Sequence, residues 1–268
     1  MDTNIIIDIL KPVLAIGGLG AVFGVGLGFA GKLFETPGDE RLAEIRELLP
    51  GANCGGCSFA GCDGFASALL EKKAAVNGCP VGGAELSEKL SGILHTAKTA
   101  FVKKTAFVKC GGGTGSATHR YDYHGLADCR AANAMPGGGG KICGYGCLGH
   151  GSCAAACKFG AIIVSDGVAA VDTYKCTGCG MCAAACPRGL ITLETPGGAK
   201  VACNSRDTGK AVRSYCTAGC IGCGVCRKVC NKEAIPIADN LATVDPAKCD
   251  GCSACAAKCP TGTMRLQH

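Results

Sequence analysis

The chain has 268 residues, of which 24 are cysteine and 43 glycine, with no tryptophan and only 5 % aromatics. That length is too great for a small secreted disulfide scaffold, and so little bulky apolar material excludes a large conventional core, leaving metal clusters to fill the interior. The formal charge of +6 counts every cysteine as neutral, whereas a four-iron cubane on four thiolates carries about −2, and six would shift the balance by roughly −12. With neither base-stacking aromatics nor a compact basic run, nucleic acid is not an expected partner.

From Pro12 to Gly31 the chain reads PVLAIGGLGAVFGVGLGFAG, a run without charge between Lys11 and Lys32. Such a length matches a bilayer core at helical rise and predicts a single transmembrane anchor. Gly17, Gly20, Gly24, Gly28 and Gly31 form a small-residue face that lets another membrane helix approach. The start of the chain is acidic rather than basic and no A-x-A site follows, which argues against a signal peptide. Gly26, Gly28 and Gly31 satisfy G-x-G-x-x-G, but no strand precedes them, so direct NAD binding is not expected.

The first cysteine run is Cys54, Cys57, Cys62 and Cys79, between expected helices at 39–49 and 64–73. It reads as one closed quartet. Tetrahedral zinc also suits four cysteines; Gly55, Gly56 and Gly61 would let backbone amides approach cluster sulfurs, which favours iron–sulfur.

Further on, Cys176, Cys179, Cys182, Cys186 and Pro187 form the C-x2-C-x2-C-x3-C-P run of bacterial ferredoxins, and Cys249, Cys252, Cys255, Cys259 and Pro260 repeat it. Cys220, Cys223, Cys226 and Cys230 form a third run. Because the fourth cysteine of such a run serves the other cluster, Cys230, Cys249, Cys252 and Cys255 are expected around one 4Fe–4S cluster and Cys220, Cys223, Cys226 and Cys259 around its neighbour. Aligning GCLGHGSCAAAC with GCIGCGVCRKVC sets Cys147, Cys153 and Cys157 against Cys220, Cys226 and Cys230, but His150 against Cys223. Cys143 supplies the missing thiolate, giving Cys143, Cys147, Cys153 and Cys186, with Cys157, Cys176, Cys179 and Cys182 as the partner quartet. Ligation by His150 is the alternative.

Cys110, Cys129, Cys203 and Cys216 remain, and as four cysteines they suggest a sixth cluster beside the five. FVKC ends at Cys110 and KVAC at Cys203, each ahead of a ferredoxin unit, so the two modules read as an internal duplication. The same duplication pairs Cys143 with Cys216 and argues against giving those two different roles. Hairpins are expected at AIIV-SDG-VAAVD and at AIPI and LATVD around Asp239 and Asn240. The fold class is therefore α+β: a transmembrane anchor over 1–34, a small helical four-cysteine domain over 35–98, and two bacterial-ferredoxin-like modules over 99–200 and 201–268.

Over essentially its whole length the sequence resembles the iron–sulfur B subunits of Rnf ion-translocating ferredoxin:NAD oxidoreductase complexes, in their long, cluster-rich form. The glycine-rich anchor, ELLPGANCGGCSFAGC with Cys79 before PVGG, and ADCRAANAMPGGGGKICGYGCLGHGSC carry the resemblance. It implies a subunit at the cytoplasmic face of the plasma membrane. Such a subunit accepts electrons from reduced soluble ferredoxin and passes them to flavin-bearing membrane subunits, while the complex reduces NAD and moves sodium ions or protons. A redox-sensing module that keeps a regulator reduced, or a structural zinc protein, is the alternative. No H-E-x-x-H, G-x-S-x-G or P-loop is present, and TGSATH at Thr114 to His119 only faintly matches a flavin-attachment pattern. Arg206, Lys210, Arg213, Arg227, Lys228 and Lys232 read either as a solvated surface that balances cluster charge or as a ferredoxin-docking face.

Overall fold

The computed structural model describes residues 3–33 and 39–267; the expected domain boundary at 34/35 and His268 lie outside them. The chain separates into two compact units, Met1–Ala43 and Glu44–His268. The boundaries expected near 98/99 and 200/201 therefore fall inside one unit.

In the first unit, α1 runs over Thr3–Leu33, and its side chains are described as an unbroken stretch over 16–32 alone. Ile16, Leu19, Val22, Phe23, Val25, Leu27 and Phe29 are all exposed. Among the described residues no helix is long and apolar enough to cross a membrane.

The second unit begins within α2 (Glu40–Leu48), which carries the buried Ile45; Phe65, Leu69 and Leu90 are buried as well. Those come from α3 (Gly61–Leu70) and α4 (Gly83–Ile93). The loop ahead of α3 sits against the first module: a Cβ on Gly56 would lie 2.7 Å from the Cys179 carbonyl oxygen and 2.9 Å from Pro80 Cγ. Gly56 is thus a point of close approach between segments. Lys158 Nζ donates to the Ala52 carbonyl at 2.9 Å across the same junction.

Both modules follow one plan. β1 (Thr105–Val108) leads to α5 (Cys129–Asn133), the one-turn α6 (Ser152–Ala155), a hairpin of β2 (Ile162–Ser165) and β3 (Val168–Val171), then α7 (Met181–Ala185) and β4 (Ile191–Glu194). β1 pairs antiparallel with β4, Thr105 opposite Glu194, so the first and last strands close the module around the inner hairpin. In the second module β5 (Ala199–Val201) is followed by α8 (Gly209–Tyr215), the one-turn α9 (Val225–Lys228), β6 (Ile237–Ala238), β7 (Leu241–Ala242), α10 (Ala254–Ala257) and β8 (Met264–Leu266). β5 pairs with β8 and β6 with β7.

The two hairpins fall where the turn residues place them. Asp166 and Gly167 take φ 49° and 68°, and Asp239 and Asn240 take 46° and 61°, the pair of left-handed residues a type I′ turn requires. The outer pairings of β1 with β4 and β5 with β8 were not among the expectations, because strands of three or four residues separated by some 60 to 85 others leave no local signal. The modules are joined directly. Gln267 Nε2 donates to Thr105 Oγ1 at 3.0 Å and to the Ala106 carbonyl at 3.2 Å, Thr118 N–H donates to the Tyr215 carbonyl at 2.8 Å, and Ala117 bridges Cys216.

Asp128 caps α5, its Oδ1 accepting from the Arg130 and Ala131 amides and its Oδ2 from Ser152 Oγ. The Ala131 amide first, then the Ser152 hydroxyl, hold the carboxyl below the usual range. A lowered folded value means that the cap contributes above the unfolded carboxylate pKa of about 3.9 and is lost as pH falls through the folded value.

Two outcomes are expected. Asp128→Ala reduces hydrogen-exchange protection of the Arg130 and Ala131 amides at neutral pH, whereas the wild type loses that protection only below about pH 4. Gly56→Ala forces backbone apart at the Cys179 contact, at a cost of about 1–3 kcal/mol, and limited proteolysis reads it as faster cleavage within 94–104.

Candidate metal centre

Sixteen of the cysteines come together in four groups of four drawn from distant segments. Cys157, Cys176, Cys179 and Cys182 line one cavity. Cys220, Cys223, Cys226 and Cys259 line a second. Both are the groupings that the crossed ferredoxin spacing predicts. Cys54 and Cys57 lie close enough to Cys79 to act on its thiol, and Cys249 and Cys252 likewise act on Cys255. Cys230 packs into the same cluster of side chains as Cys249 and Cys255. Cys62 stands in the first turn of α3, its amide donating to Asn53 Oδ1 at 2.7 Å.

The other eight group differently from the expectation. One cavity is lined by Cys129, Cys147, Cys153 and Cys186, and another by Cys110, Cys143, Cys203 and Cys216. Cys129 and Cys143 thus exchange places. The cause is α5: the Cys129 amide donates to Ser152 Oγ at 2.7 Å, which brings α5 against α6 and delivers Cys129 beside Cys153. His150 instead packs on Tyr123, ring centroids 4.6 Å apart. Cys143 is left beside Cys216, as their matched positions in the duplication require.

The junction quartet has two halves. β1 ends just before Cys110 and β5 just before Cys203, while Cys143 and Cys216 stand four residues ahead of Cys147 and Cys220 respectively. Two matched hydrogen bonds tie it outward: the Cys147 amide donates to Cys110 Sγ at 3.3 Å, and the Cys220 amide donates to Cys203 Sγ.

Burial raises nine of these thiols. It pushes Cys153 up to about 12 and both Cys182 and Cys226 up to about 11, with the neighbouring cysteines of each quartet adding to the effect. Cys259 moves the other way: burial raises it, but the amides of Met264, Thr261 and Thr263 and the Thr261 hydroxyl together outweigh that and lower it. A metal ligand must be a thiolate, so a positively charged metal group is what reverses the cost of gathering four such sulfurs. Backbone donors are ready for the charged form. The Ala106 amide donates to Cys176 Sγ at 3.3 Å, and the amides of Ala161, Leu190 and Ala234 donate at 3.4 Å to Cys157, Cys186 and Cys230. Glycine keeps the junction cavity open, since a Cβ on Gly112 would lie 3.2 Å from Cys216 Sγ.

Among the described residues no three His, Cys, Asp or Glu side chains could hold a single metal ion. Two cations missed by the sequence reading stand beside these sites. Lys141 is buried and lines the junction cavity. Arg188 lines the adjacent one, with Nη1 donating to the carbonyls of Cys143 and Gly146. An alignment of the two halves would have marked both, because their counterparts are Ser214 and Thr261.

Comparison with known proteins finds iron–sulfur families over two stretches of the chain. An Fe-S cluster family matches residues 49–81, and the 4Fe-4S dicluster domain family matches 175–234 and 219–263. The first of the latter ranges straddles the two modules. The chain is 44 % identical to the B subunit of the Na(+)-translocating ferredoxin:NAD(+) oxidoreductase complex of Acetobacterium woodii, covering 94 % of this chain and 76 % of that protein. It is 42 % identical to the B subunit of the ion-translocating oxidoreductase complex of Methanosarcina acetivorans, covering 97 % and 98 %. It is also 41 % identical to the B subunit of the proton-translocating ferredoxin:NAD(+) oxidoreductase complex of Clostridium ljungdahlii, covering 99 % and 93 %. Similarity at that level over nearly the full length, joined to 4Fe-4S domains at the cysteine quartets, means that the chain belongs to the B-subunit family of Rnf-type ion-translocating oxidoreductase complexes.

Proposed function

We propose that this chain is the iron–sulfur electron-transfer subunit of an ion-translocating ferredoxin:NAD oxidoreductase, and that its six cysteine quartets hold six 4Fe–4S clusters in single file. The observation that carries this reading is the continuity from quartet to quartet. Gly56, beside Cys57, touches Cys179. Cys153 in α6 and Cys157 just after it belong to two neighbouring quartets, as do Cys182 in α7 and Cys186 just after it. The Cys147 and Cys220 amides reach the junction quartet from either side, and Cys226 in α9 with Cys230 after it, and Cys255 in α10 with Cys259 after it, continue the file to the last quartet.

A bound cluster supplies one-electron chemistry without proton transfer or bond exchange. The chain's own residues fix each sulfur, donate amides to thiolates and keep water away. Reduction of NAD belongs, on this reading, to flavin-bearing partner subunits, and this chain holds no complete active site. Of the 24 cysteines only Cys223 and Cys252 are exposed, and Lys210, Arg213, Arg227, Lys228 and Lys232 are exposed on the same module. That supports docking of an acidic ferredoxin there. Arg206 contributes less, since its guanidinium pairs with Asp239 at 2.8 Å.

The membrane anchor is part of the same proposal. Nine large apolar side chains between Val13 and Phe29 are more than half exposed, a surface that water does not favour and a bilayer does. Clusters need a reducing compartment, which puts the iron–sulfur unit on the cytoplasmic side.

Anaerobic purification is expected to give about 24 iron atoms per chain. Cys129→Ser and Cys143→Ser each lower that count by about four, and each removes a different paramagnetic signal; loss of one and the same signal by both would return Cys143 to the Cys147 quartet. Reversing charge at Lys210, Arg213 and Arg227 slows ferredoxin oxidation at low salt, with the difference shrinking as salt rises. An unchanged low-salt rate would move the docking face elsewhere.

A further inference from the structure

Lys141 has 3 % of its surface exposed, and its ammonium donates to the carbonyls of Gly112 and Gly167, each at 2.7 Å. Arg188, half-buried, donates to Asn133 Oδ1 at 3.2 Å and to the carbonyls of Cys143, Gly146 and Gly138. Every one of these acceptors is neutral. None of the ion pairs among the described residues includes either side chain. Burying a cation without a counter-charge is costly, so the compensating negative charge must come from what the residues surround: the junction quartet that Lys141 lines and the Cys129, Cys147, Cys153 and Cys186 quartet that Arg188 lines.

The second module lacks both charges. Aligned on Cys143 with Cys216 and on Cys186 with Cys259, Lys141 corresponds to Ser214 and Arg188 to Thr261. Ser214 is exposed, its hydroxyl bonded to the Ala211 carbonyl, and Thr261 bonds Thr263. Two otherwise similar halves therefore differ in the charge facing their sites.

We propose that Lys141 and Arg188 are charge-tuning residues that raise the reduction potentials of the centres at the junction and Cys129 quartets above those of the second module. The step concerned is transfer of one electron. The receiving iron centre gains it, the reduced ferredoxin or preceding centre loses it, and no bond or proton changes place. Each added negative charge is stabilised by a nearby cation that protein, rather than water, surrounds. The proposal rests on the reading that these quartets hold iron–sulfur clusters.

The experiment is a potentiometric titration of the anaerobically purified complex, followed by electron paramagnetic resonance, with iron counted on the same samples. Lys141→Met, Lys141→Gln and Arg188→Gln are expected to shift the same one or two midpoints to more negative values at wild-type iron content. Lys141→Arg, which keeps the charge, stays near wild type. Full iron with no midpoint shift in Lys141→Met and Arg188→Gln would overturn the proposal, as would an equal shift in Lys141→Arg. Loss of iron in every Lys141 variant, the arginine included, would also overturn it by making the residue structural. A wild-type chain well short of 24 iron atoms, lacking signals from the first module, would instead defeat the underlying cluster reading.

Discussion

Four thiols that must surround one space impose the strongest constraint on this molecule, because no short segment supplies all four. The junction quartet takes Cys110 from the end of β1, Cys143 from the approach to Cys147, Cys203 from the end of β5 and Cys216 from the end of α8. Holding those positions together requires the outer strand pairs, the Gln267 bonds to β1 and the Ala117 bridge to Cys216. The two modules are thus halves of one construction around a shared site. This accounts for the single compact unit over Glu44–His268.

Small residues make that construction feasible. Fully buried side chains of any size are few, among them Phe65, Ile45, Leu90, Leu190, Ile235 and Val212, and much of the remaining interior is cysteine and alanine. Bulky side chains around the sites would occupy the cavities or hold the modules apart, as Gly56 illustrates at the Cys179 carbonyl. A fold of this kind has weak apolar cohesion without its metal groups. Stability and cofactor content are therefore coupled, as they are wherever ligand thiols are gathered before any large core exists.

Duplication supplies the scaffold, and departures from it give the halves their individuality. The type I′ hairpins, the crossed cysteines and the paired amide-to-sulfur bonds at Cys110 and Cys203 recur in both modules. Cys223 has no cysteine counterpart in the first module, where α5 brings in Cys129 instead. The chain between Cys110 and Cys143 is longer than its counterpart between Cys203 and Cys216 and carries α5, while Lys141 stands where the second module has Ser214.

The sequence alone determined the family, the α+β class, both hairpins and the crossed sharing of cysteines in the second module. Each of these is encoded by short-range spacing: a C-x2-C-x2-C-x3-C run fixes three sulfurs within a single loop and turn, and Asp-Gly or Asp-Asn fixes the hand of a hairpin. Spacing was silent wherever the partners lie far apart. Cys143, four residues from Cys147, was the nearest donor by sequence, yet Cys129 fills that place because Asp128 caps α5 and Ser152 receives the Cys129 amide. The duplication had already paired Cys143 with Cys216, but only the tertiary structure could decide between proximity along the chain and equivalence between modules. Distances between sulfurs depend on how helices and strands pack, and that packing is a property of the whole unit rather than of any one segment.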